Sequence, residues 1–226
     1  MSSDIAFNVK HTIIMVMANT TVIIPAGGRQ TRWEHPGNKH LINIFGEPLI
    51  VRICRQALTL ADVVVVLTAN NKVAETVSRI SGVEVSDKIA DSLCGSIMNG
   101  WRFWGNKTFI LLGDVYFTDD AIARISTFSD IQPYFDFYGT EHEVFAMAFG
   151  RLARIRIGLQ EVILKHAIDV GDGKMWGLYR ALHNLNITAH ERGESGNFTY
   201  IKDGTRDFDY YHEYENFLEE QRKESG

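Results

Sequence analysis

The sequence predicts a three-layer α/β protein whose central sheet is mostly parallel and covered on both faces. Three observations lead there. First, the strand-like runs, Thr21 to Ile24, Ala61 to Thr68 and Thr108 to Leu112, are apolar and rich in β-branched residues without polar alternation, the mark of strands buried on both faces. Second, segments with helical spacing separate them, giving repeated strand–helix units. Third, the first run ends in a small-residue turn followed by cations, at the place where such sheets bind ligands.

Taken in order, the first run stops at Pro25 and opens into Ala26-Gly27-Gly28. The two glycines allow positive φ and close approach of backbone to a ligand. Arg29, Arg32 and Lys39 follow. Free backbone N–H groups beside guanidinium and ammonium groups suit a polyanion such as a triphosphate. Leu41 to Phe45 is expected to be extended, with Pro48 as the first residue of a helix through Leu58. After the second run, Asn70 or Asn71 caps an expected helix Lys72 to Ile80. Val83 to Val85 is a short strand. Asp91 or Ser92 caps a helix running to about Trp104, with Leu93, Ile97, Met98 and Trp101 on one side.

The third long run ends in Gly113-Asp114-Val115, so the Asp114 carboxylate should emerge at the sheet edge. Asp119 and Asp120 begin a helix through Ile125, and Phe145 to Phe149 is a further strand. Beyond Arg151 the pattern weakens: helices are expected over Gly158 to Ala167 and Lys174 to Leu185, short strands over Ile187 to Ala189 and Asn197 to Ile201, and a final helix after Asp209. Residues 17–226 read as one domain, and residues 1–16 as a poorly packed extension.

Composition narrows the function classes. The net charge of -5 and the pI near 5.9 give no footprint for nucleic acid, so the local cations point to a small anionic ligand. The lone Cys54 and Cys94 show no metal-ligand spacing and favour a reducing compartment. No apolar run is long enough for a membrane span, and the first residues lack a secretory pattern, so a cytoplasmic protein without membrane partner is expected. The loop lacks Gly-x-Gly-x-x-Gly and Gly-Lys-Ser/Thr, and Gly-x-Ser-x-Gly is absent, which argues against a dinucleotide fold, a P-loop or a serine hydrolase. His35 and His40, flanking Lys39, are expected at the surface. Trp101, Trp104 and Trp176 read as core or pocket-wall aromatics. Asp114 and the pair Asp207 and Asp209 supply hard oxygen donors of the kind that hold Mg²⁺ against phosphates.

Together, Ile24-Pro-Ala-Gly-Gly-Arg-Gln-Thr-Arg-Trp33, Lys39, Gly46-Glu-Pro-Leu-Ile50, Leu112-Gly-Asp-Val115 and Asp207-Phe-Asp209 resemble the motifs of the nucleotidylyltransferases of the GT-A-like fold. That group includes sugar-1-phosphate nucleotidylyltransferases and MobA-like NTP transferases. Gln30 stands where Gly is usual, Asn38 where Pro precedes the Lys, and Tyr210-Tyr211 where Thr-Pro is usual. The resemblance implies a Rossmann-like α/β/α sandwich with a mixed, mostly parallel sheet. It also implies Mg²⁺-dependent transfer of NMP from an NTP to a phosphorylated acceptor, a sugar 1-phosphate being favoured, with release of pyrophosphate. By the same resemblance Arg32, Lys39 and Asp114 are catalytic. Pro25, Ala26, Gly27, Gly28, Arg29, Arg32, Lys39 and Ser92 bind nucleotide, and Asp114 with Asp209 (or Asp207) binds metal. A homo-oligomer is compatible with this reading. A GT-A glycosyltransferase consuming a nucleotide-sugar, and a nucleotide-binding module with weakened catalysis, stay open as alternatives.

Overall fold

The computed structural model describes residues 19–27, 30–129, 135–150, 158–163, 165, 173–185 and 197–224. The expected extension at 1–16, the glycine and arginine at 28 and 29, and the expected strand at 187–189 lie outside them.

Among the described residues, seven strands form the central sheet. In chain order they are β1 (Thr20–Pro25), β4 (Val63–Leu67), β5 (Val83–Ser86), β6 (Lys107–Leu111), β8 (Phe135–Gly139), β9 (Val144–Gly150) and β10 (Phe198–Tyr200). Two ribbons lie outside it: β2 (Asn43–Ile44) with β3 (Glu47–Pro48), and β7 (Val115–Tyr116) with β11 (Arg206–Asp207). The sheet order is β10-β8-β9-β6-β1-β4-β5. β1 pairs in parallel with both β4 and β6, β4 with β5, and β8 with β10, while β9 runs antiparallel to β6 and β8. The sheet is mixed and mostly parallel, as the sequence predicts.

Alternate residues of each strand face opposite sides, because the side-chain period of a strand is two. Val22, Ile24, Val64, Val66, Phe109 and Leu111 join one core, which is closed by α1 (Leu49–Ala57), α2 (Asn71–Val77), α4 (Asp119–Ser126) and α6 (Tyr211–Glu224). Ile23, Val65, Leu67, Ile110, Phe137, Met147 and Phe149 join the other, closed by α3 (Leu93–Asn99), α5 (Met175–Leu182) and the helical residues 158–163. Two full cores, one per face, explain why the strands carry no polar alternation.

Side-chain caps set several helix starts, as expected for Asn, Ser and Thr. Asn70 accepts from Val73 N–H, Ser92 from Gly95 N–H, and Thr118 from Ala121 N–H. Asp119 and Asp120 therefore sit in the first turn of α4 rather than at its cap, where their charge favours the helix dipole.

Several expected boundaries shift. Pro48 is the extended residue preceding α1, not its first helical residue, because the ribbon β2–β3 holds it by pairing with Asn43. Leu41 ends a 3₁₀ turn, Lys39–Leu41, instead of beginning a strand. Helix α2 stops at Val77. Helix α3 stops at Asn99 and tightens into the 3₁₀ turn Gly100–Phe103. That change of pitch carries Trp101 off the buried side, leaving it 46% exposed, while Trp104 is buried. Strand β8 is not expected from the sequence, because its Phe-Asp-Phe-Tyr-Gly run is too short and mixed to stand out.

Candidate functional site

The chain runs β1, β4, β5 toward one edge and then returns to β6 on the other side of β1. The order reverses between β1 and β6, and the carboxyl ends of strands at such a reversal form a crevice. Gly113 joins the two ends, donating its N–H to Pro25 O at 3.1 Å. A Cβ on Gly113 would meet that same oxygen at 2.8 Å, so only glycine allows the approach. Asp114 is thereby delivered to the crevice mouth.

Lys39 reaches Asp114 from the opposite side, and the ammonium and carboxylate form a direct ion pair. The 3₁₀ turn carrying Lys39 is capped by Asn38, whose side chain accepts from His40 N–H at 2.9 Å. His40 is not a surface residue as expected: it is 2% exposed, with Nδ1 2.8 Å from Gly113 O. Burial lowers its pKa, so the ring is neutral at physiological pH and Nδ1 carries the proton that the carbonyl accepts.

The third contribution comes from the distant C-terminal region. β11 pairs antiparallel with β7, placing Asp207 opposite Val115. Two residues on, Asp209 pairs with the Arg32 guanidinium. Asp209 is held from behind, because Glu213 accepts from the N–H groups of Asp209 and Tyr210 at 2.8 and 2.9 Å. Tyr211 packs edge-on to Trp33 at 5.4 Å and stacks on His35 at 4.3 Å, fixing the start of α6 against the loop behind Arg32.

These groups line one cavity of about 380 Å³. Its walls include Gln30, Thr31, Arg32, Trp33 and Lys39 from the first loop and Ser92 and Leu93 from the start of α3. Asp114, Asp207 and Asp209 join from the strand ends, and Glu143, Lys174 and Trp176 from the far side. Trp176 is fixed there by donating its indole N–H to His142 O at 2.7 Å.

Charge is unevenly balanced in this space. Burial pushes the Asp114 carboxyl up, but the Lys39 charge and hydrogen bond overcome it and leave it below the usual carboxylate range. Burial likewise pushes Lys39 down, and Asp114, aided by Asp209 and Asp207, raises it overall. Burial, then the neighbouring Glu143, Asp114 and Asp209, push Asp207 up to about 7. Glu143 is raised by burial and Asp209, with Lys174 and Arg32 opposing. The Arg32–Asp209 pair is half exposed, at 52% and 37% of side-chain surface. Such a pair contributes at most about 1 kcal/mol.

A sequence comparison decides the family. Residues 22–134, half of the chain, match the model of the MobA-like NTP transferase domain. The chain belongs to the MobA-like NTP transferase family.

Solved structures agree in fold. This MobA-like NTP transferase is similar to a putative glucose-1-phosphate thymidylyltransferase from Bacillus anthracis in complex with a sucrose. Identity is 15%, with 87% of this chain and 93% of that one covered at a TM-score of 0.61. The CTP:phosphocholine cytidylyltransferase LicC from Streptococcus pneumoniae is 14% identical, over 89% and 98% of the two chains, with a TM-score of 0.60. A Mycobacterium tuberculosis protein in complex with manganese is 16% identical, over 89% and 98%, with a TM-score of 0.58. A comparison with curated protein sequences gives no match.

Of the residues expected from the sequence, Arg32, Lys39, Ser92, Asp114 and Asp209 all line the cavity of this NTP transferase, and so does Asp207. The Ser92 hydroxyl is engaged as the α3 cap. Pro25, Ala26 and Gly27, also expected at the site, do not line the cavity, and the Ala26 N–H is taken by Leu67 O at 2.9 Å. Glu143 and Lys174 were not foreseen. Glu143 immediately precedes β9, and because β9 is antiparallel its start lies at the same edge as the carboxyl ends of the parallel strands. That placement depends on strand direction, which no local pattern encodes.

The donor chemistry fits a hard divalent cation. Among the described residues, no three His, Cys, Asp or Glu side chains converge closely enough to hold an ion by themselves. Mg²⁺ is commonly bound by one or two carboxylates plus substrate phosphate oxygens, and Asp114 with Asp209 or Asp207 offers that partial set. Both cysteines are buried free thiols, and among the described residues no helix is long and apolar enough to cross a membrane.

Proposed function

We propose that this protein transfers NMP from an NTP to a small phosphorylated acceptor, a sugar 1-phosphate in the favoured case, releasing pyrophosphate in a Mg²⁺-dependent reaction. The observation that carries the reading is the meeting of Lys39–Asp114 and Arg32–Asp209 in one cavity at the β1/β6 reversal. Two cations for phosphates and adjacent carboxylates for a metal are what phosphoryl-type transfer requires, since it depends on positioning and charge neutralisation rather than on a covalent nucleophile.

In this reading Arg32 leaves Asp209 to hold the β- and γ-phosphates and to stabilise departing pyrophosphate. Lys39 contacts the α-phosphate or the acceptor phosphate. Gly27 is assigned to the phosphates, as are Gly28 and Arg29, which lie outside the described residues, and Ser92 at the start of α3 is assigned to base or ribose. Asp114 and Asp209 would hold Mg²⁺, which when bound neutralises charge on the triphosphate. The acceptor phosphate oxygen attacks the α-phosphorus as the bond to pyrophosphate breaks. Glu143 and Trp176, on the far wall, suit an acceptor with hydroxyl groups and an apolar face. The names of the thymidylyltransferase and cytidylyltransferase neighbours support a phosphorylated small molecule as acceptor.

The test is a thermal-shift panel of ATP, CTP, GTP, UTP and dTTP, each with and without Mg²⁺, followed by pyrophosphate release over sugar phosphates and phosphocholine. A ligand that binds only the folded state raises Tm by mass action. One nucleotide standing out with Mg²⁺ and then yielding pyrophosphate supports the reading. A flat panel in which nucleotide-sugars alone shift Tm would replace it with glycosyl transfer. If none of these shifts Tm, nucleotide transfer is refuted.

A further inference from the structure

Two residues that depart from the motif pattern act on the same short turn. Asn38, in place of Pro, caps the 3₁₀ turn through His40 N–H. Gln30, in place of Gly, reaches from the phosphate-side loop to that turn: its Oε1 accepts Lys39 N–H at 3.0 Å, in a half-buried contact nine residues along the chain. His40 fastens the end of the segment to Gly113 O at 2.8 Å. Asn38, Lys39 and His40 are therefore each tied by a side-chain–backbone hydrogen bond, and Gln30 supplies the tie at Lys39 itself.

We propose that Gln30 is a positioning residue for Lys39, holding the lysine backbone so that its ammonium is delivered beside Asp114 and the phosphates. A single 3₁₀ turn has poorer hydrogen-bond geometry than an α-helix and is weak alone. Lysine adds a flexible stem carrying considerable rotamer freedom, so the direction of the ammonium depends on how firmly its Cα is held. Gln30 couples that Cα to the loop segment that also carries Arg32. A glycine at position 30 could not make this bond. Gln30 and Asn38 thus both tie this turn through side-chain–backbone hydrogen bonds. This inference rests on the phosphate-binding role assigned to Lys39 above.

The experiment is a double-mutant cycle read in nucleotide affinity, using calorimetry with each of the five nucleoside triphosphates in the presence of Mg²⁺. Gln30→Ala in the wild-type background is expected to weaken binding by about five- to tenfold, the loss of one hydrogen bond. In a Lys39→Ala background the same change should have less than about a twofold effect, because coupled residues are non-additive. Gln30→Met, which keeps the length and loses the acceptor, should behave as Gln30→Ala. Equal losses in both backgrounds, unchanged affinity in Gln30→Ala, or wild-type affinity in Gln30→Met each overturn the positioning role while leaving nucleotide binding in place. Failure of the wild-type protein to bind any of the five refutes the functional reading itself, and this inference with it.

Discussion

The charge of the buried Asp207 carboxylate opposes folding, and Asp207→Asn is expected to stabilise the protein at neutral and alkaline pH. Burial together with Glu143, Asp114 and Asp209 raises its carboxyl from 3.8 to about 7. The sign follows from proton linkage. Below about pH 4 the group is protonated in both folded and unfolded chains and contributes nothing. Between that and about 7 the folded chain holds a proton that the unfolded chain has released, so stability falls as pH rises. Above about 7 the full penalty is present. A shift of about three units corresponds to a ceiling of about 4 kcal/mol, and partial solvent access reduces the expected effect to about 1–2 kcal/mol. For a chain of this size that is a rise in Tm of about 2–8 °C at pH 8, shrinking toward zero near pH 4. Differential scanning calorimetry of wild type and variant across that range, in chelator, reads it directly. An equal or lower Tm for Asp207→Asn at pH 8 would refute the argument that these carboxylates repel one another in the folded state.

Two further outcomes follow from the same geometry. Asp114→Asn should abolish metal-dependent turnover, as expected when a charge-neutralising ligand is lost; pyrophosphate release with unchanged Mg²⁺ dependence would reassign the site. Phe217, 1% exposed and tilted against Phe208 and Tyr116 at 5.4 and 4.8 Å, clamps α6 to the β7–β11 ribbon, so Phe217→Ala should cost about 3–5 kcal/mol in urea unfolding. A loss below about 1 kcal/mol would show that α6, and with it Asp209, is held by something else.

Much of this protein is legible in its sequence, for a physical reason that differs from element to element. The buried strands β1, β4 and β6 are visible because a strand covered on both faces must be apolar at every position. The caps are narrowed to Asn70 or Asn71 and to Asp91 or Ser92 because capping is a local hydrogen bond, and the structure selects Asn70 and Ser92. Arg32, Lys39 and Asp114 are marked by the turn chemistry and strand ends beside them. Helix lengths were less secure, since local propensity does not fix where a helix tightens or stops, as at Asn99 and Val77.

What the sequence by itself determined is the layered α/β class, the position of the first loop and the candidate charges. What only the tertiary structure decided is which charges meet. Arg32 finds Asp209 across 177 residues and Lys39 finds Asp114 across 75, through the β7–β11 pairing and the glycine-tight contact of Gly113 with Pro25. Glu143 enters the site because β9 runs against its neighbours, and His40 is buried because Gly113 offers it a carbonyl. Periodicity and capping are written in residues a few positions apart. Strand direction, long-range pairing and the shared field of four carboxylates arise only when distant segments are packed together, and a local pattern carries no record of them.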